Sequence, residues 1–331
     1  MYPGRVELHL HMDGALTEAF ARECLKQQGI KEPEDLAAAL AAQPLCENLV
    51  DYLKCFDIPL RILQYAETLE RCAFDLVCRL AGQGYVYAEL RFAPASHCAK
   101  GLTQQQAVEA VLRGIRAARV QYPEIGIGLL LCFMVGGDAD HEATLNAARQ
   151  YLGQGVVGVD MAGAEGMVPM EHYRPLFARA KAEGIPFTIH AGECGSWENI
   201  LTALSFGARR IGHGTAAIRS PQCVERLRES GAVLECCFTS NLQTRAVATP
   251  AEHPIRAFQQ AGLRVTVNTD NPTVSATTLA NEHRVLADQF GFSDEEFYRM
   301  DRTALEAAFV GEGQRKALLA RLETLWAEGQ S

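Results

Sequence analysis

The stretch that decides the fold is Val6-Glu7-Leu8-His9-Leu10-His11-Met12. Apolar and polar residues alternate through it, as they do in a β-strand with one side facing a core. Because alternate side chains of a strand point the same way, His9, His11 and Asp13 are expected to share one face, and the two histidines are spaced to bind one metal ion. With nine histidines in 331 residues, about 0.24 such pairs are expected by chance. The pair alone therefore also fits two buried histidines with ordinary hydrogen-bond partners.

Seven further strand-like runs, rich in β-branched and aliphatic residues, follow the first run, Val6 to Met12. They are Tyr85 to Phe92, Ile125 to Met134, Val156 to Met161, Pro186 to His190, Arg210 to His213, Ala232 to Phe238 and Arg264 to Thr269. The total of eight is the number that a closed (β/α)8 barrel requires. Segments with helix signals lie between most of the runs, so parallel strands are expected.

Capping signals mark several of the intervening helices. Thr103 and Gln106 form a capping-box pair before a helical pattern. Ser220 and Pro221, followed by Gly231, are typical of a helix with an N-cap, a proline in its first turn and a C-terminal glycine. Strand and helix therefore alternate, and the predicted fold class is α/β, a (β/α)8 TIM barrel.

Two segments interrupt this alternation, residues 15–83 after the first strand and residues 279–331 after the last. Both show apolar residues at helical spacing. The first is long enough to cover the barrel mouth, either as extra packing or as a substrate lid. The sequence contains no internal repeat, linker or low-complexity stretch. Residues 1–331 are predicted to form one barrel domain, with 15–83 as a helical insertion near its mouth and extra helices at the C-terminus.

The composition excludes several classes of partner. Hydrophobic residues make up 48% of the chain, yet no run approaches the roughly 18 uninterrupted apolar residues of a membrane helix. The net charge of −9, without a basic block, disfavours nucleic acid. There is no signal-peptide pattern, and the 11 cysteines show no disulfide-framework spacing. We expect a cytoplasmic protein with mostly buried cysteines, no membrane or nucleic-acid partner and no obligatory protein partner.

Further metal-type ligands, His190 and Asp270, end other strand-like runs. The carboxyl ends of the strands are where barrels of this kind assemble their active sites. Three imidazoles and one carboxylate suit zinc, which can keep one position open for water. No Pro-Cys-x-x-Cys occurs, which excludes the zinc deaminases that carry a His-x-Glu and Pro-Cys-x-x-Cys signature. The segment from Val156 to Ala164 contains no lysine that could bridge two metal ions. A mononuclear zinc site is predicted.

Two residues are candidates for catalysis. Glu193 lies three residues after His190, where its carboxylate can stand beside a metal-bound water without ligating the metal. It is the best candidate for general acid–base catalysis, which typically contributes about 10²–10⁴-fold. His213, between two glycines, is a candidate for orienting the attacking hydroxide and stabilising developing charge.

Six motifs, spread from Val6 to about Thr278, resemble those of the adenosine deaminase family and occur in the same order. They are Val6-Glu7-Leu8-His9-Leu10-His11-Met12-Asp13-Gly14, Asp160-Met161-Ala162-Gly163-Ala164-Glu165, His190-Ala191-Gly192-Glu193, Gly212-His213-Gly214, Thr239-Ser240-Asn241-Leu242-Gln243-Thr244 and Asn268-Thr269-Asp270-Asn271. The resemblance implies a barrel with one Zn²⁺ per chain that adds water to C6 of a small-molecule purine nucleoside and expels ammonia. By position, it implies that the zinc ligands are His9, His11, His190 and Asp270.

The resemblance also implies roles around the substrate. Glu193 is the implied proton donor, and His213 is implied to hold the attacking hydroxide. Asp13 is expected to contact the ribose and the Gly163 backbone to meet the purine edge, with His11 bordering the substrate as well as the metal.

The chain departs from the family pattern at two positions. Asn271 stands where many members have an aspartate that is thought to donate to purine N7. Because an amide donates at any ordinary pH, we expect this contact to survive. Phe238 stands where a proline is expected, and the sequence predicts no consequence for it.

The leading hypothesis is zinc-dependent hydrolytic deamination of adenosine and 2′-deoxyadenosine. The Asp-x-Ala-Gly-x-Glu signature at 160–165 favours a nucleoside over free adenine, because adenine deaminases with the same histidine motifs usually lack it. A deaminase of adenine or of a 5′-modified adenosine is the alternative enzyme, although Asp13 would repel a 5′-phosphate. An inactive nucleoside-binding protein on the same barrel is the alternative outside the enzymes, because a fold does not establish activity.

Overall fold

The computed structural model describes residues 4–42, 46–136, 140–194 and 196–330. Its strands are β1 (Arg5–His11), β2 (Tyr85–Phe92), β3 (Gly126–Met134), β4 (Val156–Ala162), β5 (Thr188–Ala191), β6 (Arg210–His213), β7 (Val233–Cys236) and β8 (Arg264–Val267). All eight predicted strands are present, and their ends lie within two residues of the predicted ones.

The strands pair in parallel and in chain order, as β1-β2-β3-β4 and β5-β6-β7-β8. Two parallel bridges join these sheets at their edges, one between Leu10 and Asp270 and one between Val159 and Phe187. The sheets thus close on each other, which confirms the predicted (β/α)8 barrel.

The insertion after β1 is helical, as predicted. Its helices are α1 (Glu18–Gln27), α2 (Leu36–Leu40), α3 (Leu49–Leu53), α4 (Asp57–Ile62) and α5 (Ala66–Gly82). A hydrophobic core that includes Leu25, Ile62 and Leu76 joins these helices to the barrel. The insertion therefore packs on the barrel as part of one body.

The remaining helices surround the barrel and follow its last strand. They are α6 (Gln104–Gln121), α7 (His141–Tyr151), α8 (Arg174–Ala182), α9 (Trp197–Phe206), α10 (Pro221–Ser230), α11 (Phe238–Gln243), α12 (Ile255–Gln260), α13 (Leu279–Phe290), α14 (Asp294–Ala307) and α15 (Glu312–Gln330). The hydrophobic core extends from Val6 to Leu322. We propose on this ground that residues 1–331 form one domain.

The predicted caps are present. The Thr103 side chain accepts a hydrogen bond from the Gln106 N–H, and the Gln106 side chain accepts one from the Thr103 N–H. Ser220 caps α10 by accepting from the backbone of Cys223, and Gly231 ends it at φ 66°, in the left-handed region. Local capping thus fixes where these helices begin and end.

The expectation of mostly buried cysteines has a structural counterpart. Seven of the 11 cysteines are buried. Within the described ranges, no helix combines the length and the apolar character that crossing a bilayer requires.

Candidate active site

A cavity of about 220 Å³ lies at the carboxyl ends of the strands. From the barrel it is lined by His11, Asp13, Ala93, Ser96, Cys132, Met134, Ala162, Gly163, His190, Glu193, His213, Asp270 and Asn271, and from the insertion by Leu49, Tyr52, Leu53, Phe56 and Leu60. Every predicted site residue except His9 lines this cavity. His9 is buried beside it, and its ring centroid lies 4.5 Å from that of His190. The structure therefore brings the whole predicted set together.

Nitrogen and oxygen atoms converge at one wall of the cavity. The Nε2 atoms of His9 and His11 each lie 3.4 Å from Oδ1 of Asp270, and His11 Nε2 lies 3.3 Å from His190 Nε2. Although it is buried, His9 Nε2 has no hydrogen-bond partner among the described residues. Because buried polar atoms nearly always have a hydrogen-bond partner or bind a ligand, this unpaired nitrogen is suited to coordinate a metal ion. The donor set thus fits a small divalent ion.

A second choice of four ligands is also available. Ligand atoms of His9, His190, His213 and Asp270 lie within 4.8 Å of one another. This set contains His213 where the sequence predicts His11. The two sets share three residues, so the identity of the fourth ligand depends on how the two remaining imidazoles are protonated.

Two carboxylates and a hydroxyl group orient the side chains of the candidate ligands. Nδ1 of His9 lies 2.8 Å from Glu235, and Nδ1 of His190 lies 3.0 Å from Asp160. Because Nδ1 is engaged in each ring, Nε2 is the atom left for a metal. Ser240 Oγ donates to Oδ2 of Asp270 at 2.6 Å, so Oδ1 is the oxygen that faces the imidazoles. Partners of this kind tune metal ligands in many proteins.

The two orienting carboxylates belong to a group of buried ions inside the barrel, here named the interior charge layer: Glu89, Arg91, Asp160, Arg210 and Glu235. Arg91 contacts Asp160 at 2.7 Å and Glu235 at 2.9 Å, and Arg210 contacts Glu235 at 2.7 Å and Glu89 at 2.6 Å. All five side chains are fully buried. Burial raises the pKa of Asp160, but the charges of His190 and Arg91 lower it by more than burial raises it. The pKa of Asp160 therefore lies below its usual value. Burial also raises the pKa of Glu235, but the charges of Arg91 and Arg210 lower it more. Arg91 thus favours the ionised form of both carboxylates.

Glu193 lies on a loop that another carboxylate holds in place. Glu165 accepts hydrogen bonds from the backbone N–H groups of Gly192, Glu193 and Cys194 at 2.8–2.9 Å. Burial, followed by the negative charge of Asp270, raises the pKa of Glu193 to about 8. Its Oε2 lies 3.7 Å from Nε2 of His213. The raised pKa favours the protonated form of Glu193 near neutral pH, and the loop holds this carboxyl group beside the imidazole cluster.

Two site residues have unusual backbone conformations. His213 has φ 62° and Asp270 has φ 61°, in the left-handed region that residues other than glycine rarely adopt. At Asp270 the conformation is held by β1, because the Asp270 N–H donates to His9 O and the Asp270 carbonyl accepts from the His11 N–H. Such strain costs about 1–3 kcal/mol per residue and is concentrated at functional sites.

Asp13 lies at the start of a short 3₁₀ helix, Asp13–Ala15, because β1 already ends at His11. The prediction that Asp13 shares a strand face with the two histidines is wrong in this detail, although His11 and Asp13 line the same cavity. Oδ1 of Asp13 has no hydrogen-bond partner in the part of the chain that the structure describes, and Oδ2 of Asp13 lies 3.9 Å from Nε2 of His97. Burial raises the Asp13 pKa to about 6.

The two departures from the family pattern are packed against specific neighbours. A Cβ atom at Gly14 would lie 2.0 Å from Oδ1 of Asn271, so only glycine leaves room for this amide. The Phe238 ring packs against His253, with centroids 5.0 Å apart, and against Phe290. Phe238 also begins α11, the helix that carries Ser240.

Several residues that shape this site have no individual role predicted from the sequence, namely Arg91, Asp160, Glu165, Glu235, Ser240, Asn241 and His253. One signal was available for the charged ones. Glu89 and Arg91 alternate within a fully buried strand, and Glu235 lies in another, so their side chains must be paired inside the barrel.

Comparisons with known proteins identify the family to which the chain belongs. A family model described as adenosine deaminase matches residues 4–325. An adenosine deaminase from Haemophilus ducreyi is 42% identical over 329 residues, covering 97% of this chain and 96% of the relative. An N6-methyl-AMP deaminase structure from Arabidopsis thaliana has a TM-score of 0.86 at 25% identity, covering 99% and 98% of the two chains. An adenine deaminase structure from Arthrobacter aurescens shares the fold, with a TM-score of 0.87 at 24% identity, covering 99% and 100%. The chain therefore belongs to the adenosine deaminase family of metal-dependent hydrolytic deaminases.

Proposed function

We propose that the protein catalyses the zinc-dependent hydrolytic deamination of adenosine and 2′-deoxyadenosine to inosine, 2′-deoxyinosine and ammonia. The observation that carries this proposal is the meeting, in one cavity, of an imidazole–carboxylate cluster, the protonated Glu193 and the unpaired carboxylate oxygen of Asp13. The similarity to an adenosine deaminase along nearly the whole chain supports the same substrate class.

The residues proposed to hold one Zn²⁺ are His9, His11, His190 and Asp270. Neutral imidazoles and a carboxylate are preferred zinc ligands. When bound, zinc acts as a Lewis acid that makes water nucleophilic near neutral pH.

Glu193 is proposed as the proton donor. Addition of an oxygen nucleophile at C6 of adenine places an electron pair on the adjacent N1, which must be protonated. With its pKa raised to about 8, Glu193 carries the required proton at neutral pH. Proton transfer from a fixed acid typically contributes about 10²–10⁴-fold to the rate.

His213 is proposed to orient the attacking water. Its Nε2 faces the region that Glu193 also faces, 3.7 Å from the carboxyl oxygen. Its strained backbone and its burial hold the ring in one place. A preorganised polar group of this kind stabilises charge as it develops, without reorganising during the reaction.

The substrate is proposed to lie between the metal cluster and the insertion. Asp13 would accept a hydrogen bond from a ribose hydroxyl, and His11 borders both substrate and metal. The Gly163 backbone would meet the purine edge, and the Asn271 amide would donate to N7. Apolar residues of α3 and α4 line the remaining wall, which supports direct substrate contact by the insertion.

The proposal is tested by measuring ammonia release from adenosine, 2′-deoxyadenosine, adenine and adenosine 5′-monophosphate, together with the zinc content of the purified protein. We expect adenosine and 2′-deoxyadenosine to be turned over with the highest kcat/KM, and about one zinc per chain. Adenosine as the poorest substrate would refute the proposed specificity. A zinc-free protein that releases no ammonia would support the inactive binding protein instead.

A matched variant separates sugar recognition from chemistry. Asp13→Asn keeps the size of the side chain but removes the acceptor charge. We expect kcat/KM for adenosine to fall by about 10-fold or more, because a charged hydrogen bond contributes about 1.5–3 kcal/mol. Any turnover of adenine, which has no ribose, should be unchanged. An equal loss with both substrates would contradict the role of Asp13.

A further inference from the structure

A chain of hydrogen bonds leads from the backbone to His213 through two side chains that the proposed reaction does not use. The Ile255 N–H lies 3.4 Å from Nδ1 of His253, and Nε2 of His253 lies 3.2 Å from Oδ1 of Asn241. Nδ2 of Asn241 lies 2.9 Å from Nδ1 of His213. Asn241 is fully buried, and the two histidines are 1–3% exposed, so water does not replace these contacts.

The direction of each hydrogen bond follows from the backbone end. A backbone N–H can only donate, so Nδ1 of His253 must accept and its proton must lie on Nε2. Burial lowers the pKa of His253 to about 3, in agreement with a neutral ring. Nε2 then donates to Asn241, and the acceptor in that contact must be the amide oxygen. A flipped amide would place two donors against each other.

The same reasoning extends to His213. With its oxygen turned to His253, Asn241 offers an N–H to Nδ1 of His213, and that nitrogen must accept. A neutral imidazole has one ring proton, and here it must lie on Nε2. The Nε2 atom is the one that faces Glu193 in the cavity.

We infer that His253 and Asn241 are positioning residues that fix His213 in the Nε2–H tautomer, so that His213 donates a hydrogen bond into the cavity and does not ligate the metal. A protonated ring nitrogen has no lone pair to give to an ion. The fourth ligand is therefore His11, whose Nε2 lies 3.3 Å from that of His190. The catalytic meaning of this tautomer rests on the proposed function, whereas the tautomer itself does not.

Nitrogen-15 NMR on zinc-loaded protein labelled at histidine tests the inference directly. The His213 signals are assigned as those missing from the spectrum of His213→Gln. We expect the directly bonded proton on Nε2 and an unprotonated Nδ1. A proton on Nδ1, which ligation through Nε2 would require, would overturn the inference.

Asn241→Asp reverses the polarity of the last contact without changing its shape. The carboxylate accepts from His253 as before, but it also accepts from His213 and draws the proton to Nδ1. We expect the His213 tautomer to switch and kcat to fall by about 10²–10⁴-fold, with a smaller change in KM. An unchanged tautomer or an unchanged kcat would refute the assigned role of Asn241.

Two variants of His253, at the other end of the hydrogen-bond chain, keep the test valid if Asn241→Asp fails to fold. His253→Gln keeps an N–H donor for Asn241, whereas His253→Phe removes it and releases the amide to rotate. We expect the Gln variant to keep the Nε2–H signal of His213 and the Phe variant to show both tautomers, with kcat about 10-fold lower. Equal behaviour of the two variants would mean a purely structural role. A wild-type protein that is inactive on adenosine would refute the proposed function and leave these spectra to decide the tautomer.

Discussion

The interior charge layer and the wall of the cavity are neighbouring polar regions that differ in how their hydrogen-bond acceptors are satisfied. In the layer, each carboxylate contacts a guanidinium, and two of them also contact imidazoles. At the cavity, His9 Nε2, Asp13 Oδ1 and Asn271 Oδ1 have no partners among the residues described. A folded chain tolerates buried polar atoms without partners where a ligand completes them. Changes in the layer should therefore affect stability, and changes at the cavity should affect activity.

The largest expected effect is at the cavity. Glu193→Gln keeps the shape of the side chain but removes its proton-transfer function, so we expect kcat to fall by about 10²–10⁴-fold. Zinc content and melting temperature should remain near those of the wild type, because Glu193 is not a proposed ligand. Loss of the metal in this variant would show that Glu193 belongs to the ligand set.

A change in the layer should lower the stability of the fold. Arg91→Met leaves Asp160 and Glu235 without the cation between them, and breaking a buried ion pair from one side costs about 3–5 kcal/mol. We expect the free energy of unfolding, measured by urea denaturation, to fall by that amount. Arg91→Lys, which keeps the charge, is the control and should lose less. A change below about 1 kcal/mol in the Met variant would remove the distinction between the two regions.

The substrate itself can be altered to probe the cavity. In 7-deazaadenosine a C–H replaces the N7 acceptor, so the proposed donor on Asn271 loses its partner. We expect kcat/KM to fall by about 1–3 kcal/mol in free-energy terms, with no effect on protein stability. Deamination of the analogue at the rate of adenosine would show that Asn271 does not contact N7.

The smallest expected effect lies at the boundary of the two regions. Ser240 donates to Asp270 at 2.6 Å but does not line the cavity. Ser240→Ala should weaken zinc affinity by about 10–100-fold, as is typical for groups that orient a ligand. Competition with a chelator measures this, and kcat of the fully loaded enzyme should change little. A normal affinity would mean that Asp270 is oriented by its backbone alone.

The barrel, and the meeting of the candidate residues at one cavity, could be predicted from the sequence for different reasons. The strands were found because buried parallel strands are continuous apolar runs between capped helices, as in β3 and α6. His190 and Asp270 were placed by the rule that active sites lie at strand ends. Their identity as zinc ligands and the role of Glu193 stay predictions.

What the sequence could not supply was contact between residues far apart in the chain. Arg91 meets Glu235 across 144 positions, and Asn241 meets His213 through α11, so no spacing rule links them. The strand position predicted for Asp13 was wrong because β1 ends where its pairing with β2 ends, at His11. The alternation of residues in the sequence does not show where that pairing stops. Whether the insertion moves is a question of dynamics, which periodicity does not address.

The parallel bridge between Leu10 and Asp270 joins the first and last strands of the barrel. Asp270 follows His9 and His11 by more than 250 residues in the sequence. A growing polypeptide therefore cannot assemble the proposed ligand set until the residues that follow β8 have been synthesised. Zinc uptake during synthesis would then report the closing of the barrel, and a truncated chain that ends before β8 would leave the ribosome without a complete site.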